Sequence, residues 1–322
     1  MTETLIIEAG RSAVGRRNGT LAGTHPSDIL GPVIQGVLER SGLESSTVDQ
    51  VVGGCVDQVG AQSMNITRTA WLSSGGAIET ACSSVDSQCG SSQHGVNLAA
   101  SLVASGVVDV AIGCGVENMS MVPIGSNARD GHAAGHGGPM SRSYHAQHEA
   151  TSQFEGAERM AEKYEISRDD TDAFGLRSQQ LAAQAWKEDR FATQIVPIEA
   201  PDVDDDGNPT GTTHTVTVDE GLRDSTLEGL AKLKPVARED GVHTAGSSSQ
   251  ISDGAAAVLL MTAAKADELG LTPMARVIDT CNVGVDPVLM LTGPIDATKH
   301  LLERNDLTMD DIDLVEINEA FA

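Results

Sequence analysis

One cysteine in this sequence stands where a nucleophile would. The stretch SSVDSQCGSSQHGVNLAASLVASG places Cys89 directly before an apolar helical pattern, and the small residues Gly90, Ser91 and Ser92 follow it. A thiol at a helix N-terminus meets backbone N–H groups and the positive end of the helix dipole, which favour the thiolate. Small neighbours also let a substrate carbonyl approach the sulfur closely. The pattern predicts a nucleophile on a strand-to-helix turn; a small buried cysteine at a helix start is the alternative interpretation.

The remaining cysteines argue against a disulfide framework and against a structural zinc site. The total of five is odd, and no CxxC pair occurs. We therefore expect reduced thiols in an intracellular protein and no bound metal. The other four are Cys55, Cys82, Cys114 and Cys281.

The composition indicates an acidic α/β protein of the cytoplasm. The 322 residues carry 46 Asp and Glu against 21 Lys and Arg, a net charge of −25. This balance argues against nucleic acid as a partner, because phosphate binding needs a basic face. The scarcity of lysine also fits adaptation to high salt, but strong acidity is common in ordinary cytosolic enzymes as well. Aromatic residues make up only 2%, so small aliphatic side chains must fill the core, as in helices packed on a sheet.

The longest apolar stretch does not predict a membrane span. Residues 97–119 are interrupted by Ser105, Gly106 and Asp109. A span needs about 20 consecutive apolar residues. The interrupted pattern predicts a helix, a turn and a strand instead, and we expect no membrane partner.

An internal repeat relates the two ends of the chain. The segments VLERSGLESSTVDQVVGG, from Val37, and LLERNDLTMDDIDLVEIN, from Leu301, match at one offset of 264 residues. Each predicts an amphipathic helix, a turn and a buried strand, the last of these at Leu314 to Ile317 in the second copy. Each also follows a strand pattern, TLIIEA in the first copy and ARVIDT in the second. The protein is therefore expected to contain two related βαβ modules.

The repeat also predicts the domain organisation. Residues 1–118 form the first half, completed by about residues 249–272, and residues 273–322 form the second half. A second copy as long as the first would run to about residue 382, so we expect the second half to be incomplete. Residues 119–248 form an inserted loop domain that is expected to be a lid or to bind a ligand.

The insertion combines a polar loop, two helices and a hairpin. A loop rich in Gly, His and Ser precedes helical patterns at 151–164 and 168–191, and a hairpin over 193–221 turns at DDDGNPTG. The sequence DVDDDG, from Asp202, imitates a calcium loop, but the twelfth position is Thr213 and no helices flank it. His132 and His136 lie four residues apart among glycines, with no helix to align them. Neither pattern is interpreted as a metal site.

Several stretches together resemble the thiolase family, in family order and along the whole chain. VDSQCGSSQHG resembles the nucleophile segment, and GCVDQVGAQSMNITRTA and CGVENMS resemble segments around it. TAGSSSQISDGAAAVLLM resembles the segment that contacts pantetheine, and NEAFA resembles the Asn-Glu-Ala-Phe motif. The resemblance implies the thiolase fold, with two related βαβ-type halves in a layered α-β-α-β-α arrangement. It also implies a homodimer or homotetramer.

The resemblance implies a role for four residues in an acetyl-CoA C-acyltransferase of fatty acid or lipid metabolism. Cys89 attacks a 3-ketoacyl-CoA, acetyl-CoA leaves, and a second CoA takes the acyl group from the sulfur. Asn318 orients a water in an oxyanion hole, Arg223 lies near the CoA nucleotide, and Ser249 lies near the pantetheine amide. CoA and acyl-CoA are substrates, and no permanent cofactor is implied. Without the resemblance, Asn318 would be interpreted as a turn or cap asparagine and Arg223 as a surface arginine. Ser249 would be interpreted as a serine capping a helix that starts near Asp253.

The sequence also departs from the family pattern. Ser152, Gln153 and Phe154 stand where the biosynthetic enzymes carry His-Met-Gly, which favours a degradative enzyme with broader acyl tolerance. The Gly-His-Pro and Cys-x-Gly-Gly-Gly motifs, which supply acid/base groups in the family, do not occur. The alternative is therefore a catalytically silent protein that binds acyl-CoA or acts as a scaffold. His94, His243 and His300 do not match the missing histidine and are interpreted as surface, helix or loop residues.

Overall fold

The computed structural model describes residues 2–204 and 208–322 and divides the chain into two compact units. Unit 1 contains Met1–Gly137, Phe191–Gly221 and Ile251–Ile278, and unit 2 contains Gly138–Arg190, Leu222–Gln250 and Asp279–Ala322. Both units draw on the predicted insertion. Among the described residues, no helix combines the length and apolar character needed to cross a membrane.

The elements alternate along unit 1, and helices predominate in unit 2. The strands are β1 (Thr4–Arg11), β2 (Gly15–Arg16), β3 (Gln50–Gly54), β4 (Ala81–Val85), β5 (Val110–Asn118), β6 (Ile198–Val203), β7 (Pro209–Val216), β8 (Ser252–Thr262) and β9 (Ala275–Val277). The helices are α1 (Pro26–Ser41), α2 (Ile66–Ser73), α3 (Ser91–Ala104), α4 (Ser126–Ala133), α5 (Arg142–His145), α6 (Gln153–Lys163), α7 (Arg168–Lys187), α8 (Leu227–Leu230), α9 (Ala263–Leu269) and α10 (Gly293–Arg304). Short 3-10 helices cover Ser45–Thr47, Gly60–Gln62 and Met309–Asp311.

A mixed seven-stranded sheet forms the centre of unit 1 in the described part of the chain. Its order is β4-β3-β5-β8-β1-β9, with β2 paired to β8. Strand β3 runs parallel to β4 and β5, whereas β8 runs antiparallel to β5 and β1. One face packs on α3 through Ala99, Val103 and Leu260. Because neighbouring strand residues point to opposite faces, the full burial of Leu259 shows that the other face is covered too.

Helix α3 lies directly on the backbone of strands β3 and β5. A Cβ at Gly54, the last residue of β3, would overlap the backbone of Ser91 and Ser92 at the start of the helix. A Cβ at Gly113, in β5, would overlap the backbone of Val96 one turn later. The N-terminus of α3 can therefore reach its place only where these strand positions lack a side chain.

The predicted repeat is confirmed in its local geometry. Helix α1 is followed by Gly42 with a φ of 69°, and α10 is followed by Asp306 with a φ of 52°, which is 264 positions later. The 3-10 helices Ser45–Thr47 and Met309–Asp311 are separated by the same offset. Left-handed backbone and a short helical turn therefore recur at equivalent positions, as expected of a duplicated helix-turn unit.

The buried strand predicted at Leu314 to Ile317 is wrong. No strand forms there within the described residues, and Leu314, Val315 and Ile317 are 91%, 68% and 51% exposed. The equivalent segment of the first copy, β3, is hydrogen-bonded on both sides by β4 and β5. An apolar segment becomes a buried strand only where partners supply both its hydrogen bonds and its cover.

The predictions for the insertion are mostly confirmed, and one predicted helix outside it is wrong. The helices at 151–164 and 168–191 are confirmed by α6 and α7, and the hairpin is confirmed by the pairing of β6 with β7. Residues 205–207 of its turn, part of the DVDDDG sequence, lie outside the described residues. The helix proposed to start near Asp253 is wrong, because β8 occupies that position in the middle of the sheet. Helix α4, which contains His132, was not predicted within the polar loop, and His136 lies beyond its end.

Replacing Gly54 with alanine should displace the start of α3. Because the added Cβ meets backbone that cannot rotate away, we expect Gly54→Ala to lower the stability of unit 1 by about 1–3 kcal/mol. The measurement is the urea midpoint followed by circular dichroism. Gly131→Ala is the matched control, since nothing lies within 4 Å of a Cβ at that helical position. Equal midpoints for wild type and Gly54→Ala would contradict the proposed close packing.

Candidate active site

Cys89 is exposed on a strained turn between β4 and α3. Gln88 has a φ of 52°, in the left-handed region that residues other than glycine rarely adopt. The Ser91 hydroxyl accepts a hydrogen bond from the Ser87 backbone N–H at 2.8 Å and donates to the Gln88 carbonyl at 2.6 Å. The Asp86 carboxylate accepts from the Gln88 backbone N–H at 2.7 Å. The turn is held by its own side chains, and it presents the thiol two residues before α3. This confirms the predicted placement and contradicts the alternative of a buried cysteine.

The other thiols in unit 1 are poorly suited to nucleophilic attack. Burial raises the pKa of Cys114 and of Cys55, and the nearby Glu117 carboxylate raises the pKa of Cys55 further. Burial also raises the pKa of Cys82, although Arg68 opposes the shift. A raised pKa keeps a thiol protonated near neutral pH, so these groups remain unreactive.

Two carboxylates organise the loops beside this turn. Because β3, β4 and β5 are parallel, their carboxyl ends meet at one edge of the sheet, and Cys89 follows β4 there. Glu117, near the end of β5, accepts from the backbone N–H groups of Val56 and Asp57 at 2.8 and 3.2 Å and from Gln62 Nε2 at 2.6 Å. Burial raises the pKa of Glu117, and the hydrogen bonds partly offset that shift.

The second carboxylate extends this network toward helix α4. Asp57 is 1% exposed and accepts from the backbone N–H groups of Gly125 and Asn127 at 3.0 and 3.1 Å. Sequence reasoning missed both Glu117 and Asp57. The only available signal was their position inside stretches that resemble the thiolase family.

In unit 2, Asn318 and Ser249 lie on two segments joined by hydrogen bonds. The Ser249 backbone N–H donates to the Ala320 carbonyl at 2.8 Å, and the Ala322 N–H donates to the Ser247 carbonyl at 2.9 Å. A β-bridge pairs the residues between them. Asn318 is exposed, and its side chain makes no hydrogen bond within residues 2–204 and 208–322. Its amide is therefore able to bind water.

Arg223 lines two adjoining cavities in unit 2. Their volumes are about 310 and 290 Å³, and both contain Arg223, Asp224 and Gln179. The second also contains Ser248 and Gln250, the neighbours of Ser249. The Arg223 backbone N–H donates to Gln179 Oε1 at 2.9 Å, and its guanidinium forms no ion pair within the described part of the chain. A free guanidinium beside a cavity of this size can bind a phosphate group.

Helices α7 and α8 hold the wall of the second cavity. The Arg168 guanidinium donates to Asp172 at 2.8 Å and to the carbonyls of Leu230 and Leu233 at 2.8 and 3.1 Å. Leu230 and Leu233 line the cavity together with Gly246. Unit 2 thus brings the surroundings of Arg223 and Ser249 together, and Asn318 belongs to the same unit. Cys89 belongs to unit 1.

The histidines have two different environments in unit 2. His300 is exposed on α10, in agreement with the interpretation from sequence. His243 lies in a loop, as one of the interpretations had it, but it is only 4% exposed. No group of three or more metal-ligating side chains occurs among the described residues.

Comparison with known proteins agrees with the thiolase-type α/β fold. The family model of the thiolase N-terminal domain matches residues 4–264, and that of the thiolase C-terminal domain matches residues 271–322. The chain therefore belongs to the thiolase family, which confirms the resemblance found in its motifs.

Named relatives are similar to this protein over almost the whole chain. The steroid 3-ketoacyl-CoA thiolase FadA6 of Mycobacterium tuberculosis is 42% identical, and the match covers 100% of this chain and 77% of the relative. An acetyl-CoA acetyltransferase of Syntrophomonas wolfei is 37% identical over 99% of this chain and 81% of its own. A 3-ketoacyl-CoA thiolase of a Marinomonas species is also 37% identical, over 99% and 79%.

Replacing Glu117 with glutamine should loosen the loops beside the nucleophile turn. The new amide would direct N–H donors at other donors, so we expect Glu117→Gln to cost about 1–3 kcal/mol. The urea midpoint and proteolysis within residues 55–62 measure the effect. Glu79→Gln, at an exposed glutamate, is the control and should change neither.

The same substitution has a predictable pH dependence. The pKa of Glu117 is raised in the folded state, so its stabilising effect is fully present below the pKa of an unfolded glutamate. That contribution is lost as pH rises through the raised value. The stability difference between wild type and Glu117→Gln should therefore narrow as pH rises across this window. A difference that widens with pH would contradict the assignment.

Proposed function

We propose that this protein is a thiolase-type acyltransferase that cleaves 3-ketoacyl-CoA with CoA through an acyl-enzyme on Cys89. The observation that carries the proposal is the exposed thiol on a strained turn at the start of α3, in a family of thiolases. The names of the similar proteins, acetyl-CoA acetyltransferase and 3-ketoacyl-CoA thiolase, support the same reaction.

The reaction proceeds in two half-reactions on one sulfur. The Cys89 thiolate adds to the C3 carbonyl and forms a tetrahedral oxyanion. Collapse of this intermediate breaks the C2–C3 bond; its electron pair goes to C2, which takes up a proton and leaves as acetyl-CoA. The thiolate of a second CoA then adds to the acyl thioester, and Cys89 leaves as the shortened acyl-CoA forms. The reverse sequence is a condensation.

Two groups of this chain are suited to stabilise the oxyanions. The backbone N–H of Cys89 adjoins the N-terminus of α3, where backbone dipoles favour negative charge. The side-chain amide of Asn318 has the exposure needed to hold a water for the second oxyanion. In this proposal Cys89 is the nucleophile and Asn318 orients the oxyanion-hole water.

The cavities lined by Arg223 are the proposed binding site for the CoA nucleotide. Their position beside Ser248 and Gln250 supports a path for pantetheine along the loop that contains Ser249. Arg223 supplies positive charge in a protein of net charge −25, which otherwise repels a polyphosphate. The part of the predicted insertion that lies in unit 2 would thus contribute to CoA binding.

Replacement of Cys89 tests the nucleophile. Cys89→Ala should abolish turnover of acetoacetyl-CoA with CoA, and no acyl adduct should be found on the protein by mass spectrometry, because no thiolate remains to accept the acyl group. Cys281→Ala, which removes a half-buried thiol in unit 2, is the matched control. This variant should retain turnover and should still form the acyl adduct. An adduct on wild type without turnover would support the silent acyl-binding alternative. Full activity of Cys89→Ala would overturn the proposal.

Replacement of Arg223 tests the nucleotide site. Loss of a charge-assisted hydrogen bond costs about 1.5–3 kcal/mol, so Arg223→Ala should raise KM for CoA at least tenfold with little change in kcat. Arg190→Ala removes another arginine of unit 2, one paired with Glu188, and should leave KM unchanged. With pantetheine in place of CoA, the effect of Arg223→Ala should vanish. An equal effect with pantetheine would show that Arg223 does not bind the nucleotide.

We also propose that the protein is a cytoplasmic homodimer or homotetramer. All five cysteines are free, which supports a reducing compartment. Within the described residues, strand β4 is an edge of the sheet with an unpaired side, and Met64 and Ile78, nearby in sequence, are 91% and 72% exposed. An unpaired edge with exposed apolar side chains is suited to association with a second copy.

A further inference from the structure

The segment that contains Asn318 is held in unit 2 by few contacts. Its backbone is bonded to the loop 241–250 through the two hydrogen bonds and the bridge between Ser248 and Phe321. The Glu319 carboxylate also accepts from the Ser178 hydroxyl at 2.6 Å. Asn318 is exposed and outside any helix or strand, so its place depends on these neighbours.

Phe321 lies between two other rings, and together they form an aromatic cluster (Phe154, His243 and Phe321). The Phe321 ring is 5.5 Å from Phe154 and 5.3 Å from His243, at interplanar angles of 77° and 60°. Edge-to-face pairs of this kind contribute about 0.5–1.5 kcal/mol beyond their buried area. With aromatic residues at only 2% of the chain, a cluster of rings here is a distinctive feature of unit 2.

Helices α6 and α7 hold the backbone at Val242 and His243. Glu158, in α6, is 3% exposed and accepts from the backbone N–H groups of Val242 and His243 at 2.9 and 3.1 Å. The hydroxyl of Thr171, in α7, donates to the Val242 carbonyl at 2.9 Å. The backbone that carries the His243 ring is therefore held by hydrogen bonds from two helices.

The His243 ring also has a polar atom without a partner. Its Nδ1 is buried and makes no hydrogen bond within residues 2–204 and 208–322. A buried unpaired polar atom costs about 1–3 kcal/mol, so an apolar side chain would suit stability better at this position. Burial lowers the pKa of His243, and the nearby Glu158 carboxylate partly opposes that shift.

We propose that His243 and Phe321 are positioning residues: their ring contact fixes the register of residues 320–322 against 247–249 and thereby holds Asn318 in place relative to Ser249. The inference rests on the proposed function, because Asn318 acts there through a bound water. A displacement of Asn318 by even 1 Å would reduce catalysis substantially, while the cavity around Arg223 would keep its shape.

The experiment compares a variant that loses the ring with one that keeps it. His243→Leu should lower kcat about tenfold, because the segment shifts, and leave KM for CoA within about twofold. His243→Phe should restore kcat to near the wild-type value, since it preserves the ring contact. Phe321→Leu should behave like His243→Leu. Tyr164→Leu, which removes an exposed ring of unit 2, is the control and should leave kcat unchanged.

Rates must be expressed per reactive Cys89, counted by alkylation, so that partial unfolding is not read as slow catalysis. A purely structural role would reduce the number of reactive thiols and leave kcat per thiol at the wild-type value, and this result would overturn the inference. Equal loss in His243→Leu and His243→Phe would overturn it as well. If wild type neither turns over nor forms an acyl adduct, the proposed function fails, and the inference fails with it.

Discussion

The contact on which unit 1 depends is the direct approach of helix α3 to strands β3 and β5. Glycines at the contact positions let helix backbone lie against strand backbone. A closer approach would make the two backbones overlap, and a larger separation would lose their packing contacts. The N-terminus of α3 is thereby fixed at the edge where the parallel strands end. The position of Cys89 is fixed in turn, because this residue lies only two positions before the first residue of the helix. Glycines at these two strand positions thus locate the thiol.

Four carboxylates that are buried or half-buried perform a second structural task in both units. Each of these four accepts hydrogen bonds from backbone N–H groups and, within the described residues, forms no ion pair with an arginine or lysine. A buried charge is costly, but two or more amide donors compensate much of the cost and fix the loop at the same time. The strongly acidic composition is therefore not only a surface property. The residues are Glu117, Asp57, Glu158 and Asp253, the last of which accepts from the Ser120 backbone N–H at 2.9 Å and from its hydroxyl at 2.6 Å.

Sequence patterns correctly predicted the elements whose structure depends on neighbouring residues in the chain. The helices α1, α3, α6 and α7, the hairpin of β6 and β7, and the turn before α3 all follow from periodicity and from small or turn-forming residues. What failed depends on partners distant in the chain. Strand β8 was predicted as a helix start, because its small apolar residues carry no distinct period and its partners β1 and β5 lie more than 100 residues away. The roles of Glu117 and His243 were missed for the same reason, since each acts on a loop from a distant element.

The two copies of the repeat show which features depend on the local sequence and which depend on partners distant in the chain. Both copies keep the left-handed residue after the helix and the 3-10 turn that follows, so these features are local properties of the sequence. The following apolar segments share their pattern and differ in outcome: β3 is buried between two strands, and residues 314–317 are exposed. An alternating apolar pattern thus expresses the capacity to become a strand, and the partners decide whether it does. For the second copy, the consequence is that Asn318 is not placed by a sheet, as the corresponding end of β3 is, but by a short bridge and the rings that support it.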